Sequence, residues 1–268
     1  MAPEDVVHRE KLISIQSTAL WKVVFHCLSR ALPIYLRNPG RPPVASPENV
    51  ECSAAVLLLV VSLESHTNRL MYFEPKELTT SHNLLQKLAT FLGEPEYQAL
   101  LSDMAEVSVC RDAVTHALLW EEEREFDQKW DIQHQSWRLA DVTDLRRKTS
   151  QNLVDGGIIT RRLALNAVPT HVDFVDCAKA LVVVCRVMRA LEQKYGNPKA
   201  WVGPLTIPPE FEKAFGEDPK TNYMESVIEA VLSKLHAPHV EEIGRTLEIT
   251  PVSVNGKLGF AGVSQVLP

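Results

Sequence analysis

The chain has 268 residues, of which 45% are hydrophobic and 23% charged, a composition typical of an ordinary globular protein. The formal net charge is −6 at pH 7, which argues against a general nucleic-acid binder with a basic surface. Glycine is scarce, with 11 residues, and this favours helices over a turn-rich β architecture. The composition therefore predicts an all-α protein in which any contact with nucleic acid is local.

The five cysteines are an odd number and contain no C-x-x-C pair, so neither a disulfide framework nor a structural zinc site is expected. No metal or cofactor is expected: His236-x-x-His239 has the helical spacing of metal ligands, but Pro238 interrupts the helix and no acidic third ligand is obvious. The charged N-terminus lacks the apolar stretch of a signal peptide, and the longest apolar run, Ala54 to Val61, is too short to cross a bilayer. These features predict a cytoplasmic protein without membrane association.

The first 46 residues predict an N-terminal helical extension, over roughly residues 6–36, that ends in a proline-rich linker at residues 38–43. Ser46-Pro47 is typical of a helix start, and the helix that follows to about Tyr72 is apolar nearly all round. We expect a central helical bundle over residues 47–196. Residues 197–268 are predicted to form a C-terminal extension.

Within the bundle, a short helix is predicted around residues 84–92, and a longer one from about Tyr97 to Glu123. Asp103-x-x-Glu106 has the spacing of a capping box and predicts an internal restart of the longer helix.

From Phe126 to Arg138 the helical period is lost, and a short β-ribbon is an additional option. An irregular excursion is predicted to continue to about Val168. Thr170-x-x-Asp173 has capping-box spacing, and the apolar stripe from Phe174 to Leu191 predicts the last helix of the bundle.

The segment Arg111-Asp112-Ala113-Val114-Thr115-His116 is the best candidate for a catalytic site. As a bare pattern, Arg-x4-His occurs at close to chance frequency. On a helix, however, Asp112 and His116 are four residues apart and share a face, so the carboxylate can hold the imidazole and raise its basicity. Arginine binds phosphate and histidine moves protons, a combination that suits cleavage of a phosphodiester.

Arg-Asp-x-x-x-His, followed by apolar residues and Trp120, resembles the signature of the HEPN domains. The order of elements is also similar: a long apolar helix with Glu64 and Asn68 near its end, a middle helix, the motif helix, an excursion and a final helix. The resemblance covers about Pro47 to Gly196, and the hexapeptide is its one specific motif.

The resemblance implies a helical bundle that dimerises with the motif helices facing each other. Active members are metal-independent endoribonucleases of toxin–antitoxin and other defence systems, and many pair with a minimal nucleotidyltransferase antitoxin. By this resemblance His116 is the general acid or base, Arg111 binds the scissile phosphate and Asp112 orients the pair. The 2′-hydroxyl of RNA is the nucleophile, and a cyclic phosphate is the product.

Alternatives accompany each of these assignments. The hexapeptide can be a salt-bridged surface turn, and the whole chain a non-catalytic binding or dimerisation module, which the acidic net charge favours. Glu64 and Asn68 either support the site or form a solvated helix end. The basic side chains of the excursion either follow an RNA backbone or are simply solvated; they are Arg146, Arg147, Arg161 and Arg162.

Overall fold

The structure is a computed structural model that describes residues 17–39, 46–73, 83–115, 120–127, 132–139, 151–154, 158–195, 207–215, 224–254 and 257–261. Most of these residues are helical, as the composition predicted. The α-helices are α1 (Ser17–Arg37), α2 (Pro47–Phe73), α3 (Leu84–Phe91), α4 (Gln98–Thr115), α5 (Phe174–Tyr195), α6 (Pro209–Phe215), α7 (Met224–Leu232) and α8 (Ala237–Leu247). Two antiparallel ribbons pair β1 (Trp120–Phe126) with β2 (Ile132–Leu139) and β3 (Thr250–Val254) with β4 (Lys257–Ala261).

Helix α2 is the centre of the bundle. It packs against α1, α4 and α5, which explains why apolar residues occur on nearly all of its faces. Among the described helices, α2 is also the one long and apolar enough to cross a membrane when length and composition alone are considered. Core helices of soluble proteins have the same two properties, so this finding does not assign a location.

Helix α5 confirms the predicted final helix of the bundle and extends it to Tyr195. Its capping box is three residues later than the sequence suggested. The Asp173 side chain accepts from the backbone N–H of Asp176 at 2.9 Å, and the Asp176 side chain accepts from the N–H of Asp173 at 3.2 Å. Thr170 instead lies in a 3₁₀ turn, Pro169–His171, and therefore cannot cap α5.

The predicted end of the motif helix is wrong. Helix α4 ends at Thr115, and Trp120–Phe126 forms strand β1, with Glu122 opposite Trp137 in the register. Glutamate has a good intrinsic helix propensity, but tertiary pairing overrides such preferences. The expected β-ribbon is confirmed, and it begins six residues earlier than predicted.

The predicted restart at Asp103 is also wrong, because α4 runs through this position without interruption. Asp103 and Glu106 are both buried. Their carboxylates bind groups of the 158–168 segment instead of capping a helix.

Residues of both predicted extensions belong to the same hydrophobic core as the bundle. Phe25 of α1 packs on Phe211 of α6, with ring centroids 4.9 Å apart. Ile243 of α8 is fully buried. The C-terminal helices therefore stabilise the bundle directly.

His66 on α2 is a buried histidine whose two ring nitrogens have no hydrogen-bond partner in the described part of the chain. Burial, with a smaller contribution from Arg69, lowers the pKa of His66 from 6.5 to about 4. In the unfolded chain His66 therefore becomes protonated near pH 6.5, whereas in the folded chain it becomes protonated only near pH 4.

This predicts that His66 destabilises the fold as the pH falls through that window. Urea unfolding at pH 7 and pH 4.5 should show that wild type loses roughly 2 to 3 kcal/mol more than His66→Leu. Comparing the two proteins cancels the contributions of the other titrating groups. Equal losses in both proteins would contradict the burial of a neutral imidazole.

Candidate functional site

Arg111 and Asp112 lie in the last turn of α4, where both side chains are partly accessible. Arg111 Nε is 2.6 Å from Asp112 Oδ1, and the two side chains are 22% and 26% exposed. Among the described residues Arg111 Nε has no partner in hydrogen-bond geometry, so the contact is an ion pair of adjacent residues without a directional bond. Asp112 neutralises the positive charge of the Arg111 guanidinium. The other N–H groups of this guanidinium can still donate to a bidentate acceptor such as phosphate.

The helical period of α4 explains this exposure. Cys110 and Ala113, which flank the pair in sequence, are buried on one face of α4, and Arg111 and Asp112 lie away from that face and are only partly buried. The hydroxyl of Thr115 donates to the carbonyl of Arg111 at 2.5 Å and satisfies an acceptor of the last turn. Arg111 and Asp112 thus lie on a helix, as expected, and their ion pair is a contact that the sequence did not predict.

His116 lies outside the described residues. The shared helix face of Asp112 and His116 was inferred from a helix running to Glu123, and α4 ends at Thr115. The contact between this carboxylate and the imidazole therefore stays a prediction.

Glu64 and Asn68 contact α3. Lys87 Nζ donates to Asn68 Oδ1 at 2.6 Å and is 3.8 Å from Glu64 Oε1. This arrangement ties the C-terminal half of α2 to α3 with a partly buried charge.

The motif end of α4 is near the other half of α2. Cys110 Sγ donates to the carbonyl of Asn166, and Ser53 Oγ donates to the carbonyl of Pro169, three residues farther along the same segment. Glu64 lies about three turns beyond Ser53, or roughly 16 Å along the helix axis. The described contacts of Glu64 and Asn68 are thus with Lys87 of α3, and their support of the site at Arg111 stays a prediction.

The basic residues of the excursion have different surroundings. Arg146 and Arg147 lie outside the described residues. Arg161 is exposed, and its Nε donates to the carbonyl of Gln151 at 3.2 Å. Arg162 Nε donates to Asp103 Oδ1 at 2.5 Å, so its positive charge is paired with a carboxylate of the protein itself.

Burial raises the pKa of the Asp103 carboxyl, and the Arg162 guanidinium opposes that shift.

The most deeply buried charges were not anticipated from the sequence. Lys179 of α5 is 1% exposed, and its Nζ donates to Glu242 Oε1 of α8 at 2.5 Å and to the carbonyl of Leu163 at 2.9 Å. Burial and the neighbouring Asp173 raise the pKa of Asp176 to about 8. The sequence signal for this ion pair was the position of Lys179 on the apolar stripe of a predicted helix, because a buried charge needs a partner of opposite charge.

The described segments contain no cluster of three or more histidine, cysteine or acidic side chains with the geometry to hold a metal ion. All five cysteines are free and buried. The described part of the candidate site thus consists of the Arg111 and Asp112 pair.

Comparison of the chain with protein-family models, with curated proteins and with solved structures finds no match. The similarity to HEPN domains therefore rests on the hexapeptide and on the order of elements.

Proposed function

We propose that this chain is a metal-independent endoribonuclease of the HEPN type, associated with a toxin or defence system, that cleaves RNA at Arg111 and His116. The observation that carries the proposal is the partly accessible ion pair of Arg111 and Asp112 near the end of α4. It presents a phosphate-binding cation on a helix, five residues before His116 in the sequence.

The chemistry needs two proton transfers and one cation. A base removes the proton from the 2′-hydroxyl, whose oxygen attacks the adjacent phosphorus; an acid then protonates the departing 5′-oxygen. The products are a 2′,3′-cyclic phosphate and a 5′-hydroxyl. Arg111 stabilises the charge that develops on the phosphate, and His116 carries the proton, with Asp112 orienting the pair.

A single Arg111–His116 pair has one imidazole for two proton transfers. We propose a homodimer in which a second copy of the site supplies the other imidazole, and an antitoxin of the minimal nucleotidyltransferase type that restrains the activity. Arg146, Arg147 and Arg161 are the proposed contacts to the RNA backbone. Arg162 is less suited to this role because Asp103 engages it.

A non-catalytic binding or dimerisation module is the second candidate. The net charge of −6 favours it, and so does the neutralisation of Arg111 by its own neighbour Asp112.

Incubation of the purified wild-type protein with single-stranded RNA in EDTA separates the two candidates. The enzyme proposal predicts cleavage without a metal ion. RNA that stays intact, in a preparation free of any co-purified partner, would contradict the enzyme proposal and favour the binding module.

A further inference from the structure

One face of α4 is held by the 162–166 segment at two points that lie just before the candidate site. The Glu106 carboxylate accepts from two successive backbone N–H groups, those of Arg162 at 2.8 Å and Leu163 at 2.7 Å. Cys110, next to Arg111, donates through Sγ to the carbonyl of Asn166 at 3.3 Å. Glu106 is 4% exposed, so water cannot easily replace these bonds.

The 162–166 segment is fixed to α5 on its other side. Lys179 Nζ donates to the carbonyl of Leu163 at 2.9 Å, and Asn166 Nδ2 donates to Asp176 Oδ2 at 2.8 Å. Both anchoring residues of α5 are buried. The segment is thus a bridge between α5 and the C-terminal half of α4.

The end of a helix is its weakest part, because the last four carbonyls have no partner within the helix and the last turn opens readily. Glu106 is five residues, or about 1.4 turns, before Arg111, and its charge-assisted bonds restrain the helix in the stretch that leads into this last turn. A glutamine would keep one accepting oxygen but turn an NH₂ group toward a backbone N–H. One of the two bonds would then be lost and replaced by a repulsive contact.

We infer that Glu106 is a positioning residue for the candidate site: through its bonds to Arg162 and Leu163 it holds the α4 turn that carries Arg111. This inference rests on the proposed ribonuclease function where it concerns catalysis. The effect of Glu106 on the stability of the α4 turn does not depend on that function, and amide hydrogen exchange measures it separately.

The test is Glu106→Gln, compared with Glu96→Gln, which changes an exposed glutamate in the 3₁₀ turn before α4. Amide hydrogen exchange of peptides covering residues 110–115 should accelerate at least about tenfold in Glu106→Gln, with α1 unchanged. The kcat for RNA cleavage should fall about 10- to 100-fold with KM nearly constant, because misplacement of a catalytic group affects the chemical step. Glu96→Gln should match wild type in both measurements.

Unchanged exchange at residues 110–115 overturns the inference, and so does accelerated exchange with kcat and KM both at wild-type values. A wild-type protein that cleaves no RNA overturns the proposed function instead, and exchange then decides alone whether Glu106 holds the turn. If Glu106→Gln does not fold, Glu106→Asp, which keeps the charge on a shorter side chain, is measured in the same way.

Discussion

Substitution of His116 by alanine is expected to lower the rate of RNA cleavage by about 10²- to 10⁴-fold, the usual contribution of a general acid or base. Alanine removes the imidazole, which is the proposed proton carrier, and Arg111 remains to bind phosphate. The loss should therefore fall on kcat, while the affinity for RNA changes little. Cleavage of a labelled RNA in EDTA, together with a binding measurement, checks both parts.

His26→Ala is the matched control, because His26 is an exposed histidine on α1 and belongs to no part of the candidate site. It should cleave RNA at the wild-type rate. Cleavage that survives His116→Ala undiminished would show that the site is assigned to the wrong residues. A matching loss in both variants would point to the fold as the cause.

Substitution of Glu242 by leucine is expected to lower the free energy of unfolding by about 3 kcal/mol, since it leaves a buried ammonium group without its carboxylate. Lys179 is 1% exposed, and after the change its Nζ keeps the Leu163 carbonyl as its hydrogen-bond acceptor. The loss is placed at the low end of the usual range because the Glu242 side chain is itself 36% exposed. Urea unfolding at pH 7 measures the effect.

Glu241→Leu introduces the same side chain at the exposed neighbouring position of α8 and should change stability by no more than about 0.5 kcal/mol. The double variant Lys179→Met/Glu242→Leu removes both charges and should recover much of the loss. Equal losses for Glu241→Leu and Glu242→Leu would mean that the ion pair contributes nothing specific.

The helices could be predicted where the hydrophobic period is strong. The stripe from Phe174 to Leu191 identified α5, because burying one face of a helix imposes that period on the sequence. The end of α4 could not be predicted in the same way. Trp120–Phe126 contains three successive glutamates that favour a helix locally, and the pairing of β1 with β2 decides the structure instead.

Local spacing also explains which parts of the site were predictable. The helix that carries Arg111 and Asp112 was predictable, but their ion pair was not, because neighbours i and i+1 lie about 100° apart around a helix. Glu106 binds Arg162 and Leu163, 56 and 57 residues away, and Lys87 engages Asn68 across two helices. No periodicity in the sequence encodes such partners, because they are chosen by the packing of the whole bundle.

Identification of the RNA ends that wild type produces in EDTA tests the ribonuclease proposal most directly. Attack by the 2′-hydroxyl predicts a 2′,3′-cyclic phosphate on one fragment and a 5′-hydroxyl on the other, and a substrate with 2′-deoxyribose at the cleaved position should stay intact. Fragments that end in a 3′-hydroxyl and a 5′-phosphate, or cleavage of the deoxy-substituted substrate, would contradict the proposed chemistry at Arg111 and His116.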